Sequence, residues 1–315
     1  MHKKRIFKFF RNTLTVALAV SMMCGDLGTS LGIAYASEKV AEETDVTENA
    51  VNANDYNLPD NCQDGTILHC FDWKYEDIKK ELPNIAAAGF TSVQTSPAQQ
   101  GCGKSVWYEL YQPEGFWIDD SSTLGSKAQL KELCTEAEKY GIKVIVDAIG
   151  NHLAGDHTNI DGDLKDAKYW HNSRYTSDGK NGTKKIDWKN RWQVTHGDVG
   201  MPDLNTEDSL VQQKASAYID ELMSVGVDGI RWDTAKHISL PSEGCDFWKA
   251  VVKSGLYSYG EILAGPTDDT DSSESKKLMK EYTDYISVTD NNYGSQLLGE
   301  LKNGQVTTKT VSSPV

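Results

Sequence analysis

Short apolar runs that alternate with amphipathic helical patterns set the strongest limit on how this chain can fold. Residues 66–71 read as a strand. Residues 75–88 carry Ile78, Leu82, Ile85 and Ala86 at helical spacing and stop at Gly89; 91–95 read as a second strand. A long loop with Gly101, Gly103, Pro113 and Gly115 follows, then a helix over 127–140 ended by Gly141 and a strongly apolar strand over 143–148. After a break the rhythm resumes with helix 209–225, strand 229–233, helix 245–254, strand 258–263, helix 274–282 and strand 285–289. Such alternation predicts parallel strands joined by crossover helices. A doubly wound open sheet and a (β/α)8 barrel both fit it. Polar residues recur at the C-terminal ends of different strands, as the active face of a barrel requires. The expected fold is therefore an α/β protein, a (β/α)8 barrel that is incomplete, with about six strands.

The break falls after the third predicted strand. Residues 151–205 are rich in Gly, Asp, Asn and Trp and show no clear helix. A run of that length between elements is usually a functional insertion. The barrel is thus expected in two parts, 60–150 and 206–315, with an irregular inserted domain between them.

The N-terminus reads as a targeting segment. Lys3, Lys4, Arg5, Lys8 and Arg11 precede an apolar core too short to span a membrane, and Ala34-Tyr35-Ala36 is a small-x-small cleavage signal. Residues 1–36 are expected to be a secretory signal peptide, which implies a secreted, extracellular protein with no membrane attachment once the signal is removed. Residues 37–59 are polar and acidic and are expected to be a disordered leader. Loss of 1–36 removes five basic groups and one acid, so the net charge moves from −14 to −18. So acidic a chain repels nucleic acid and suits a neutral substrate or a cation. Cys62, Cys70, Cys102, Cys134 and Cys245 remain, an odd number, with no Cys-x-x-Cys pair to suggest a zinc or redox site.

Chemistry concentrates at three strand ends. The third strand runs into Asp147-Ala148-Ile149-Gly150-Asn151-His152, the fourth into Arg231-Trp232-Asp233 with Lys236-His237 after it, and the fifth into Tyr259-Gly260-Glu261. Arg231 and Asp233 are two apart, so both side chains point to one face of a strand. A permanently charged guanidinium beside a carboxylate favours the anion, the state a carboxylate nucleophile needs. A structural ion pair capping the strand fits those two residues equally well. Glu261 is the stronger signal, because a charged side chain inside an apolar strand needs a reason. Asp233 and Glu261 on adjacent strands, about 4.8 Å apart, come close to the roughly 5–5.5 Å separation of the two carboxyl groups of a retaining glycosidase.

These stretches resemble the conserved regions of the α-amylase family, glycoside hydrolase family 13. Residues 147–152 resemble its first region, 229–237 its second, Tyr259-Gly260-Glu261 its third, and Met201-Pro202-Asp203-Leu204-Asn205 the further region in its inserted domain B. Ile67-Leu68-His69, Gln94-Thr95-Ser96-Pro97 and Trp107-Tyr108-Glu109-Leu110-Tyr111-Gln112-Pro113 also look like bacterial α-amylases. The likeness covers roughly 65–300. It implies retaining endohydrolysis of α-1,4-glucosidic bonds in starch or maltooligosaccharides by a monomer. Asp233 would be the nucleophile and Glu261 the acid and then the base, with Arg231 holding Asp233. His152, Tyr111 and Gln112 would bind the sugar in the cleaved subsite, and Lys236 and His237 would line the leaving-group side. Asp147 would organise the strand end. The resemblance also implies a calcium ion held by Asn151, Asp203 and the His237 carbonyl, oxygen donors of the kind Ca2+ takes, with the Thr195 carbonyl as a weaker candidate.

Other metal patterns fail. An EF-hand beginning at Asp161 has Asp166 where Gly is needed and Asn172 where Glu is needed. His152, Asp156 and His157 match no familiar zinc spacing. The glycosylation sequon Asn181-Gly182-Thr183 is one in form only. The chain also departs from the family. The fourth region carries a His-Asp pair, and no His follows His237 here. Strands seven and eight are not found, so a C-terminally truncated enzyme is expected. Two readings follow: an active α-glucan hydrolase, or an inactive fragment that at most binds sugar weakly. A transglycosylase of the same family shares the motifs.

Overall fold

The computed structural model describes residues 52–155, 159–171 and 186–304. The expected signal peptide with its Cys24, and Asp156, His157, Asn172 and Asn181–Thr183, lie outside those residues.

The described chain runs β1 (Ile67–Cys70), α1 (Tyr75–Ala87), β2 (Ser92–Thr95), β3 (Gln99–Gly101), β4 (Pro113–Ile118), α2 (Lys127–Lys139), β5 (Lys143–Ile149), α3 (Arg191–His196), α4 (Ser209–Ser224), β6 (Gly229–Asp233), α5 (Phe247–Val251), β7 (Tyr257–Gly260), α6 (Ser273–Thr283), β8 (Ser287–Val288) and α7 (Asn291–Lys302). Six strands form one parallel sheet in the order β1-β2-β5-β6-β7-β8. A doubly wound sheet reverses its strand order at a switch point. Here, with the separate β3–β4 pair set aside, each strand of the sheet lies beside the sheet strand that precedes it in the chain, which is barrel topology. The sheet is an incomplete (β/α)8 barrel, and the insertion leaves it after β5.

Local chemistry explains the helix limits. Ser126 caps α2: its hydroxyl accepts from the Gln129 N–H (3.3 Å), and the Gln129 side chain accepts from the Ser126 N–H (2.9 Å). Gly89 and Gly141 follow α1 and α2 at φ +85° and +73°, the left-handed conformation that stops a helix without a Cβ penalty. The helices bury one stripe each: Ile78, Leu82 and Ile85 from α1, Leu130, Leu133 and Ala137 from α2, Val211, Tyr218 and Leu222 from α4.

Several expectations need correction. Residues 52–59 are not disordered: Ala53–Asp55 form a 3-10 turn, and Tyr56 packs on Tyr140 with ring centroids 5.9 Å apart. The loop between the second strand and α2 contains the antiparallel pair β3–β4 and a 3-10 helix, Trp107–Tyr111. Residues 151–205 do contain a helix, α3. The helix expected over 245–254 shrinks to α5. The strand expected over 258–263 is β7, which ends at Gly260. Glu261 therefore sits just past a strand and not inside one; with its side chain 30% exposed, it pays no large burial cost. No disulfide joins any of the five described cysteines.

On β6, Ile230 and Trp232 alternate with Arg231 and Asp233. Trp232 faces the helices and meets Phe247 and Trp248 edge-on at 5.6 and 5.8 Å. Trp232→Ala is expected to cost about 3–5 kcal/mol, seen as a lower urea midpoint, and an unchanged midpoint would show that this layer does not support the sheet.

Candidate active site

Strand register assembles the site. β5 and β6 align Asp147 with Arg231 and Ile149 with Asp233; β6 and β7 align Arg231 with Tyr259 and Trp232 with Gly260. Asp147, Arg231 and Tyr259 thus form one row across three strands. The Glu261 N–H continues the ladder to the Trp232 carbonyl (2.9 Å), which places Glu261 beside Asp233 on the next rung. Period-two alternation then turns the charged side chains to one face.

One guanidinium gathers three acids. Arg231 Nη1 donates to both Asp147 oxygens and to Asp233 Oδ1, each at 2.8 Å, and Nη2 lies 3.2 Å from Glu261 Oε1. Burial works against the Arg231 charge, but Asp147, Asp233 and Glu261 outweigh it and raise its proton affinity further. Asp147 is fully buried. Burial pushes its carboxyl up to about 7, against the pull of Arg231. The Tyr111 hydroxyl donates to Asp147 Oδ2 at 2.9 Å. Immediately after Asp233, Thr234 takes a left-handed backbone, φ 51° and ψ 30°, uncommon for a β-branched residue. That kink turns its N–H toward Glu261 Oε2 at 3.4 Å.

Two walls flank the acids. On one side Tyr111 stacks on Phe71 (6.3 Å, 23°), and Phe71 meets Trp107 at 5.3 Å. Glu109 braces this segment by accepting from the Ser105 N–H at 2.8 Å. His152 reaches the Tyr111 carbonyl through Nε2 (3.1 Å), and burial lowers its proton affinity. Gln112 is turned away toward Cys102, whose Sγ lies 3.5 Å from its Oε1, so no contact brings it to the acids. On the other side Lys236 lies 5.0 Å from the Trp188 ring and donates to the Leu263 carbonyl (2.9 Å). His237 donates through Nδ1 to the Val194 carbonyl (2.6 Å), and burial pushes it down to about 3, so it is neutral. Tyr259 reaches Gln94 across the sheet.

Two residues that no sequence pattern singles out, Arg191 and Trp188, hold this second wall. Buried Arg191 pairs with Glu243 (Nε–Oε1 and Nη2–Oε2, both 2.8 Å) and donates to the Lys236 carbonyl (2.6 Å) and the Tyr282 hydroxyl (2.8 Å). Trp188 contributes the exposed aromatic face. The Trp-rich insertion was the available hint, but it carries no periodicity that fixes which residue points inward.

Two of the expected calcium residues, Asn151 and Asp203, lie on adjoining segments. An isolated bridge joins His152 to Asp203, and the Leu204 N–H donates to the Asn151 carbonyl (2.8 Å). Asn151 and Asp203 are both fully buried, and Asn151 Oδ1 and Nδ2 and Asp203 Oδ1 lack a hydrogen-bond partner. Orphaned buried oxygens of that kind normally face a water or an ion. The carboxylate and amide oxygens therefore fit a hard cation.

The model of the α-amylase catalytic domain matches residues 70–311. An α-amylase of Clostridium acetobutylicum is 37% identical over 273 residues, 79% of this chain and 33% of its own length. One from Butyrivibrio fibrisolvens is 31% identical over 283 residues, 78% of this chain and 28% of its own. The chain thus spans about a third of the length of these curated relatives. Among solved structures, wild-type α-amylase I of Eisenia fetida superposes with a TM-score of 0.61 at 25% identity, covering 79% of this chain and 54% of that one. A variant of that enzyme was solved with maltohexaose. The α-amylase of Geobacillus thermoleovorans complexed with acarbose, at 23% identity and a TM-score of 0.59, covers 75% of this chain and 53% of that one and shares the fold. With the family's model matching most of its length and three strand-end acids gathered on one guanidinium, this chain belongs to the α-amylase catalytic-domain family.

Proposed function

We propose that the chain carries the cleavage centre of a secreted endohydrolase that breaks α-1,4-glucosidic bonds in starch and maltooligosaccharides with retention. The observation that carries this reading is the pair Asp233 and Glu261, on neighbouring strand ends and tied to the same Arg231. Asp233 attacks the anomeric carbon while Glu261 protonates the departing glycosidic oxygen. Glu261 then removes a proton from water, which displaces Asp233. The Arg231 contact to Oδ1 steadies the nucleophile and leaves Oδ2 for attack. Tyr111 and its aromatic neighbours offer a face for the sugar C–H groups on one side of the cut, and Lys236, His237 and Trp188 receive the leaving sugar on the other. Export rests on the N-terminal basic and apolar pattern with its Ala34-Tyr35-Ala36 site; among the described residues no helix is long and apolar enough to cross a membrane.

Calcium belongs to the same reading. Asn151, Asp203 and the His237 carbonyl would hold it, and when bound it supplies a fixed charge joining the insertion to the barrel. In that arrangement Asp203 would contribute the insertion and His237 the loop after β6.

Hydrolysis of maltooligosaccharides followed by NMR should show the α-anomer first. Initial β-anomer would refute retention. Glu261→Gln is expected to lower kcat by about 10²–10⁴-fold, and Asp233→Asn to prevent formation of the glycosyl-enzyme. A wild-type chain that binds maltohexaose but releases no reducing sugar would favour the sugar-binder reading. Removal of calcium with a chelator is expected to lower the melting temperature. At calcium 100-fold above its Kd the stabilisation is about 2.7 kcal/mol, and Asn151→Ala should abolish it; equal melting with and without calcium would sink the assignment.

A further inference from the structure

Behind the second wall, outside the cleavage centre, lies a cluster of different chemistry. His171, His196 and Glu207 bring one ligand atom each to within 4.8 Å of one another. His171 Nδ1 is bonded to Asp203 Oδ2 (2.8 Å), and its Nε2 faces Glu207 Oε2 (2.6 Å). His196 Nδ1 faces the Trp192 carbonyl (3.1 Å) and the Thr195 hydroxyl (2.9 Å). Both imidazoles therefore commit Nδ1 to oxygen partners, and His171 turns Nε2 to the Glu207 carboxylate. Metal-ligating histidines are oriented in this way, the second nitrogen held by a carboxylate or a backbone carbonyl.

We propose that His171 Nε2, His196 Nε2 and a Glu207 carboxylate oxygen form a second cation site, one for a zinc-class divalent ion. Two imidazoles and one carboxylate are the donors such an ion selects, with water completing its shell. The pair Asn151 and Asp203 offers only oxygen and suits calcium. Asp203 touches both sites, through Oδ1 on one side and Oδ2 on the other, so they are neighbours but do not share a ligand atom.

Without the ion, a proton does its work. His171 lies between two carboxylates and donates to both, through Nδ1 to Asp203 and through Nε2 to Glu207. The ion displaces the proton between His171 and Glu207, so binding releases protons. The two rings stack at 4.2 Å with planes 28° apart, so their in-plane lone pairs run nearly side by side. Closing on an ion requires the half-buried His196 ring to tilt. Trp192, 65% exposed, stacks on that ring at 4.6 Å and reports its movement. Once bound, the ion pins the end of α3 to the approach to α4. The same helix supplies Arg191 and the Val194 carbonyl to the loop that carries Lys236 and His237.

The test uses the full chain, stripped by chelation and then held in saturating calcium. Equilibrium dialysis with Zn2+ is expected to give one tightly held ion per chain, with proton release. Co2+ should give the intense visible bands of a low-coordinate site and quench Trp192 fluorescence, the latter assigned with Trp192→Phe. His196→Ala and Glu207→Gln should each weaken Zn2+ by more than the roughly 10–100-fold that loss of an outer-shell partner costs, with calcium binding retained in His196→Ala as evidence of folding. No bound zinc, zinc unaffected by His196→Ala, or zinc displaced by calcium would each overturn the proposal. If His196→Ala does not fold, wild-type Co2+ bands of an octahedral aquo type would overturn it equally.

Discussion

A single guanidinium, Arg231, is what the centre of this structure depends on. Three carboxylates converge on it, and two of them are buried. Without Arg231, Asp147 would be an uncompensated charge in a packed sheet, a loss of about 3–5 kcal/mol for a broken buried pair. The cation also sets direction. Its Nη1 meets both oxygens of Asp147 and one of Asp233, and its Nη2 meets Glu261, so the acids are spread around it in fixed orientations. Lys cannot reproduce that fork.

The sheet makes the arrangement possible. Parallel register places Asp147 and Arg231 opposite each other and puts Asp233 and Glu261 one rung higher. The strand's other face holds Trp232 in an aromatic layer, so packing and chemistry are divided by the pleat. The insertion then adds what the sheet lacks: Arg191 and Trp188 brace the loop after β6, and Asp203 and His171 meet beneath it. Those contacts tie residues far apart in the chain through buried polar groups, which are costly when left unpaired.

Much of this was legible in the sequence, for physical reasons. Period-two and helical patterns survive in β5, β6, α1 and α2 because each buries one face, and glycines mark the stops. The acids at 147, 233 and 261 stood out because charge at the end of an apolar run is rare. Other parts left no such trace. β3 is three residues long, too short for a pattern, and its partner β4 begins with Pro113. The end of β7 was misplaced because Ile262 and Leu263 continue an apolar run after the ladder has stopped. His171, His196 and Glu207 are separated by 25 and 11 positions, so only folding brings them together, and no Cys motif announces them. Tyr111 was expected to face a sugar; its hydroxyl also serves Asp147, a contact that depends on the curl of the Trp107–Tyr111 turn.

The left-handed residue that follows Asp233 has a wider consequence. A backbone of that hand cannot continue a pleated ladder, so Thr234 acts as a brake on β6. Were the strand to run one residue further, Asp233 would move from the rim into the hydrogen-bonded interior and lose its opening to solvent. Conformational strain of about 1–3 kcal/mol is thus the means by which the chain keeps its acid on the last rung, and a residue that relaxed it would trade local comfort for a site closed from above.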